Sequence, residues 1–536
     1  MNMKSEKENG YLTVYLALVL TVMLSLHLVL IEGVRSSAIR LEAECVTDIG
    51  LNSVMAEYHR ELLNRYNLFA VDSSYGTAHA GAGNVEQHLQ HYMNRNFSME
   101  DVFLEDLLYK DFIALEVENA KVTKVSILTD GEGEVFRKRA VEAVKNDVGL
   151  VALENLKAWL DVVKNNGLNE REISAEKEVL DDQLADRDGE MVQVEKRDAE
   201  KGQADEKQQK SESGQSKESQ QKNGAGQDGE MQNETEDETF TEFEWVEVDI
   251  VNPTDGLEEV RRLGILSSVV EETTSLSAKR ISEETLISTR MANGTISQGN
   301  YPQEETVQIE EFTERFFFQE YLLRYMGNFV DLSENTALDY QIEYLIAGKE
   351  SDGDNLRTIA NRLCALREVA NTIYLYGDTV KCAEAEVVAA GLAALCLLPE
   401  LTEVFKHTLL LGWAYAESVH DVKVLLAGGN VPLIKDEASW YYDLGTALSL
   451  GEKEGADEMG ASGLSYADYL RILMCFTNLH TLTARAMNIV EADIRLTGGN
   501  EHFRLDACYE RLEFNINVTS AYGYQYDIRR RKSYVF

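Results

Sequence analysis

The chain has 536 residues, a formal net charge of −42, 44% hydrophobic residues and four prolines. That length predicts roughly two or three folded units plus linkers, and the scarcity of proline permits long helices. The charge repels nucleic-acid phosphates and excludes general DNA or RNA binding; it also keeps an exposed domain soluble and away from anionic lipid surfaces.

After a leader of residues 1–10 comes YLTVYLALVLTVMLSLHLVLI, with no formal charge from Tyr11 to Ile31. A helix needs about 20 apolar residues to cross the hydrocarbon core. Thr13, Thr21 and Ser25 can bond back to their own helix. His27 is tolerated neutral near one end, and Tyr11 and Tyr15 suit the interface at the other. The competing reading is a cleaved signal peptide, whose apolar region is about 7–15 residues long and ends in a small-residue cleavage site. This run is longer, and EGVRSSAIR follows without that pattern. A single uncleaved transmembrane helix over residues 11–31 is the expectation, with the bilayer as its partner. Lys4 and Lys7, offset by Glu6 and Glu8, nearly balance Arg35 and Arg40, so charge does not set the orientation. A second apolar run, residues 387–398, ends at Pro399 and at 12 residues reads as a core helix.

Residues 32–66 carry apolar side chains at helical spacing, with Gly50 as the one potential breaker, and predict a stalk helix continuing out of the anchor. A short strand at 67–71 and a short helix at 85–94 follow. VENAKVTKVSIL, residues 117–128, alternates as a strand whose apolar phase slips after Thr123, which allows a bulge. Residues 131–165 predict one long helix. From 170 to 239 the composition becomes acidic and Gln-rich, without an aromatic residue, and predicts a disordered insert. That insert reads as a tolerated surface insertion or as a spacer tether. FTEFEWVEVDIV restores a strand at 240–251, and strong helical periodicity runs from about 310 to 496. Two closing strands turn near 521–524. The expected fold is α+β, mainly α: a transmembrane and stalk helix, an α+β segment over 67–169, the insert, a second α+β segment over 240–303, a helical domain over 304–498 and a β-hairpin over 499–536.

The six cysteines, Cys45, Cys364, Cys382, Cys396, Cys475 and Cys508, form no CxxC and mostly sit in apolar helices, so buried free thiols are expected. In AGKESDGDN, Gly348 is placed to end one helix and Ser351 or Asp352 to cap the next. Lys349 fails the phosphate-loop pattern, because position 343 is Glu and Glu350 follows the lysine; the calcium-loop spacing around Asp352 and Asp354 is incomplete. Glu417 and Asp421 share one face of an apolar helix. Such a pair suits acid–base work or a buried salt-bridge network with Lys349 or Lys435. The candidate polar cluster is therefore Lys349, Glu350, Asp352, Glu417 and Asp421. His79, His88 and His91 are of metal-ligating type without an evident fourth partner. RRRK at 529–532 is a basic patch for lipid headgroups or an acidic partner, or a solvated strand end. No catalytic residue, metal or cofactor is expected.

The opening through NRYNLFAVD, together with YLIAGKESDGDNL, LLLGWAYAESVHDVKVLLAGGNVPLIK and GLSYADYLRILM, resembles a family of uncharacterised Gram-positive bacterial membrane proteins known only as a domain of unknown function. More distantly, Gly10 followed by Thr13-Val14-Tyr15-Leu16-Ala17-Leu18-Val19 resembles the start of TadE/TadG-like pseudopilins of tight-adherence pilus systems. Those proteins often carry Glu where Tyr15 stands, so processing at Gly10 is not expected and the leader is expected to remain. The resemblance implies a cytoplasmic N-terminus, an extracytoplasmic C-terminal bulk, and pilus or secretion-system proteins as partners. The function expected is a structural or accessory component of such an assembly. The alternative is a membrane-tethered enzyme or sensor with a carboxylate-lined site.

Overall fold

The computed structural model describes residues 4–97, 115–147, 149–165, 170–195, 243–250, 252–270, 274–282, 285–302, 311–448 and 462–534. The fold is α+β and mainly α, opening on one long apolar helix and closing on a β-hairpin.

Helix α1 runs Lys4–Met55. From residue 11 to residue 34 its described side chains are exposed or nearly so, and it is long and apolar enough to cross a membrane. Beyond that it acquires a buried face of Ile39, Ala43, Val46, Leu51 and Val54. This face packs with α3 (Ala82–Phe97), through Val85, Leu89, Met93 and Phe97, and with an antiparallel sheet. Gly50 does not break α1; a Cβ there would meet Met93 Cγ at 2.8 Å, so the glycine lets α3 approach. The stalk expected through residue 66 is broken once. The chain turns after Met55, and α2 (Arg60–Tyr66) restarts where His59 accepts from the Leu62 N–H.

In the sheet, β5 (Cys508–Ser520) is central. It pairs with β2 (Leu115–Ile127) along one edge and with β1 (Val71–Asp72) and β6 (Gln525–Ser533) along the other. Leu512, Phe514, Ile516 and Val518 alternate onto the face covered by α1 and α3, the two-residue period of a half-buried strand. The expected phase slip in β2 is a register shift between Val122 and Lys124.

Strand β6 runs alongside α1. Tyr524 Oη donates to Glu32, Tyr526 Oη to the Ser36 carbonyl at 3.0 Å, and Tyr534 Oη to the Met55 carbonyl. Arg530 pairs with Glu44 at 3.5 Å and Asp48 at 3.4 Å. From Glu32 to Met55 the helix rises about 35 Å, and from Tyr524 to Tyr534 the strand advances about 34 Å. The match in length lets one strand clasp the whole stalk.

The predicted helix at 131–165 is two: α4 (Asp130–Val144) and α5 (Leu150–Asn165), parted near Gly149. The start of α4 is irregular, with Gly131, Glu132 and Gly133 all left-handed. The insert expected from 170 begins instead with α6 (Glu170–Arg187), which buries Leu180 and Leu184 one helical turn apart, and β3 (Met191–Glu195), which pairs with β4 (Phe243–Glu247). The rest of the insert lies outside the described residues.

The helical body contains α7 (Asp255–Leu263), α8 (Leu266–Val269), α9 (Ile287–Ala292), α10 (Glu311–Tyr325), α11 (Gln341–Ala347), α12 (Asp352–Gly377), α13 (Thr379–Leu395), α14 (Thr402–Leu426), α15 (Leu444–Ala447), α16 (Tyr466–Phe476) and α17 (Leu479–Arg495). Helix α14 is its axis, buried on all sides over residues 408–419, as an all-round apolar helix must be. Asn478 caps α17 and so divides the last part of the helical periodicity that runs to 496. The second apolar run is a surface helix rather than a core one. Only Ala385, Ala389 and Ala393 of α13 are buried, while Val387 is 74% and Leu395 82% exposed. All six cysteines are free; Cys364 and Cys508 are buried and Cys45 is exposed.

Candidate functional site

The turn between α11 and α12 is built as its residues suggest. Gly348 ends α11 at φ +70°, and a Cβ there would overlap the Arg485 guanidinium. Ser351 caps α12 by accepting from the Asp354 N–H. Asn355 bridges Lys349, accepting from its N–H at 2.8 Å and donating to its carbonyl at 2.9 Å. The Lys349 and Glu350 side chains are exposed, and Glu350 pairs with Arg280 at 3.1 Å. Asp352 turns inward and is fully buried. It accepts from Ser277 Oγ at 2.6 Å, the Asp339 N–H at 2.9 Å and the Tyr340 N–H at 3.2 Å. Its two oxygens staple the preceding segment to the start of α12.

Glu417 and Asp421 belong to a different place. Both are buried on α14. Asp421 accepts from Arg367 Nε at 2.9 Å and from Asn371 Nδ2 at 3.0 Å, and pairs with Lys435 at 2.6 Å. Glu417 pairs with the same ammonium and accepts from the Tyr441 and Tyr442 N–H groups at 2.8 and 2.9 Å. Arg367 completes its donors on the carbonyls of Pro432 and Leu433, on Tyr469 Oη at 3.0 Å and on Asn371. Two cations thus face two carboxylates in the core. Lys435, and not Lys349, is the partner. Fifteen residues of α12 separate Asp352 from Arg367, about 22 Å of helix. The five predicted residues therefore divide among an exposed turn (Lys349 and Glu350), a separate buried staple (Asp352) and the buried network of Glu417 and Asp421, rather than forming one site.

Burial raises the Glu417 carboxyl, with Asp421 adding to the rise and Lys435 opposing it. Burial acts on Asp421 in the same sense, but Arg367 and Lys435 outweigh it and hold that group below its ordinary value. Glu417, His420 and Asp421 place ligand atoms within 4.8 Å of one another, a metal-like grouping. The Lys435 ammonium already sits on both carboxylates, and His420 stacks on Tyr441 at 3.7 Å, so the donor set fits a lysine rather than a metal ion. The predicted histidine group does not converge on a metal either: His88 pairs with Glu57 at 3.0 Å and stacks on Tyr75.

Among the described residues, further buried carboxyl centres escape the sequence reading. Glu343 on α11 accepts from the Phe329 N–H at 2.8 Å and from Tyr466 Oη at 2.7 Å through one oxygen. Its other oxygen is buried without a hydrogen bond, and burial pushes its pKa to about 7. Asp493 accepts from Tyr66 Oη at 2.6 Å, Gln341 Nε2 at 2.7 Å and the Ala337 N–H at 2.7 Å. Glu491 and Asp506 share Arg290, at 2.8 and 3.0 Å. The one signal available was a lone acid inside an apolar helical run, as in QIEYLIA.

Two open clefts flank these networks. One, of about 470 Å³, is bordered by α6, α12 and Tyr415 and contains the Arg261–Glu368 ion pair. The other, of about 650 Å³, lies between the left-handed turn at 131–133, the loop before Tyr301 and the start of α17, where Glu132 pairs with His480 at 3.0 Å. Neither contains Glu417 or Asp421 among its lining residues.

Fold and site together define a mainly helical α+β protein with an exposed apolar N-terminal helix and a core cross-linked by internally paired charges. The chain belongs to a family of unknown function, DUF5702, whose sequence pattern matches residues 243–520, just over half its length. The match begins at β4 and ends with β5, so α1 precedes it. No curated protein and no solved structure matches the chain.

Proposed function

We propose that this protein is a single-pass, membrane-anchored structural or accessory component of a pilus- or secretion-type assembly. It acts through protein contacts rather than catalysis. The observation that carries this reading is the division of α1. Its apolar half has no covering partner among the described residues, whereas its second half is clasped by β6 and α3. An anchor joined to the head without a flexible linker transmits position and force. A second feature agrees. Val34, Leu41 and Ile49 are exposed on α1 beyond the anchor at seven- and eight-residue spacing, which suits packing beside another helix. The extracytoplasmic placement of the bulk follows the pseudopilin resemblance around Gly10–Val19 and not the balanced flanking charges. The enzyme or sensor alternative needs Lys349, Glu350, Asp352 and Glu417 gathered in an open cleft, and their separation and internal pairing weigh against it.

Crosslinking followed by mass spectrometry in the native membrane tests the assembly role. Crosslinks to pilus or secretion components are expected, and recovery of none would count heavily against it. Orientation is read by labelling Asn96→Cys in intact cells, on a background without the native cysteines; protection from an impermeant reagent overturns the exported placement.

A further inference from the structure

The membrane reading leaves one end of the anchor without an aromatic belt of its own. Tyr11 and Tyr15, 78% and 66% exposed, flank the N-terminal end of the apolar run. Tyrosine and tryptophan concentrate at such interfaces. At the other end α1 continues as Glu32-Gly33-Val34-Arg35-Ser36-Ser37, with no aromatic residue. The β5–β6 turn supplies what the helix lacks. Residues 518–526 read VTSAYGYQY, an uncharged, tyrosine-rich tip in a chain of net charge −42.

The tip is held against this part of α1. Tyr524 Oη donates to Glu32, Tyr526 Oη donates to the Ser36 carbonyl at 3.0 Å, and the Arg35 guanidinium lies 3.3 Å from the Tyr522 ring centroid. The turn itself is closed by Ser520, whose carbonyl accepts from the Gly523 N–H at 2.9 Å and whose N–H donates to the Tyr524 carbonyl at 2.9 Å. Gly523 takes φ +85°, which a residue with a Cβ would resist. Tyr522 stays 47% exposed.

Depth follows from helix rise. Residues 11–31 span about 31 Å, the thickness of a hydrocarbon core of about 30 Å. Glu32–Ser36 then occupies the next ~6 Å, which is the headgroup layer. Whatever is fastened to Glu32, Arg35 and Ser36 sits at that level.

We infer that the β5–β6 tip is a second membrane contact, seating Tyr522 and Tyr524 among the lipid headgroups of the leaflet from which α1 emerges. This rests on the membrane-anchored reading. The tip completes the aromatic belt and fixes the height and tilt of the head, because β6 runs from the tip along the full stalk. Glu32 offsets Arg35, so the contact is aromatic rather than electrostatic and tolerates salt and zwitterionic lipid.

The test uses the full chain reconstituted in phosphatidylcholine vesicles, with Tyr522→Trp compared against Tyr534→Trp, a site beside Met55 about 30 Å further along α1 than Arg35. Emission is measured as the difference from the unsubstituted chain, in plain vesicles and in vesicles of phosphatidylcholine brominated high on its acyl chains. Loss of the added emission for Tyr522→Trp but not for Tyr534→Trp, unchanged at high salt, is the expected result. Equal emission from both variants in a chain that floats with the vesicles overturns the tip contact and leaves the anchor standing. A chain that does not float with the vesicles overturns the anchor, and this inference with it.

Discussion

The stalk-and-sheet unit and the helical body solve the same packing problem with different chemistry. Between stalk and sheet the first buries an apolar set, Ile39, Val46, Leu89, Phe514 and Ile516 among it, and the ion pairs that join the two, such as Arg530 with Glu44, stay partly in solvent; its buried acids, Glu510 and Glu513 of β5, pair with Arg139 and Arg529. The second carries carboxylates inside. Asp352, Glu417, Asp421, Glu491 and Asp493 are all buried and all paired. An apolar interface is tolerant of small slips, whereas a buried charge accepts only the arrangement that completes its partners. The contrast suggests a body fixed in one shape and a stalk joined to it by fit.

Breaking the Arg367–Asp421 pair should have the largest effect. Asp421→Ala leaves Arg367 buried without its counter-charge and removes one of the two carboxylates on Lys435. Loss of one partner of a buried pair costs about 3–5 kcal/mol. Hydrogen exchange on the full chain in detergent should show α12 and α14 opening while α1, α3 and β5 keep their protection. Equal loss across both regions would show that the two are not separate cooperative units.

Glu343 gives the body a pH signature near neutrality. Its pKa stands at about 7 against an ordinary 4.5, so the folded state binds the extra proton between these values. Stability from this group is present below about pH 4.5 and is lost as pH rises through about 7, up to roughly 3 kcal/mol. Glu343→Gln keeps an acceptor for Phe329 and Tyr466 and cannot ionise. Melting of the body at pH 8 should rise in that variant, with little change at pH 5. An unchanged melting difference between the two pH values would show that Glu343 is not the source.

The stalk should yield to shape instead. Gly50→Leu places a Cβ 2.8 Å from Met93 Cγ and further methyls against Leu89. Overpacking of this kind costs about 1–3 kcal/mol. The loss should appear in α1 and α3 exchange, be the same at pH 5 and pH 8, and spare α14.

How much of this was legible in the sequence follows the range of the forces. The long apolar N-terminal helix, β2 with its slip and the closing hairpin rest on local periodicity, and they stand where the pattern puts them. Breaks made by one side chain, such as the Asn478 cap, are local but weak against a strong apolar repeat. Helix α6 was hidden because two leucines suffice to dock it in an otherwise polar run. The candidate carboxylates were recognised as residue types, but their partners were not. Lys435 reaches Glu417 and Asp421 only because the loop after α14 folds back beneath Trp440, a tertiary fact without a spacing rule. Nor could any periodicity say that β6 would lie along α1.

The smallest predicted effect sharpens the comparison most. The RRRK patch finds its acidic partners inside the chain: Arg529 pairs with Glu513, and Arg530 reaches across to Glu44 and Asp48 of α1. These groups keep a third or more of the Arg530, Glu44 and Asp48 side chains exposed, so water and salt screen them. Arg530→Ala should cost about 0.2–1 kcal/mol, falling further at high ionic strength. Ile39, Val46 and Ile528 stay buried beneath the lost pair and keep the stalk seated. Exchange should quicken slightly in α1 beyond Ala43 and in β6, with the body unchanged. Release of the whole stalk by this one substitution would mean that charge, and not apolar fit, joins stalk to sheet, and the distinction between the two regions would fall.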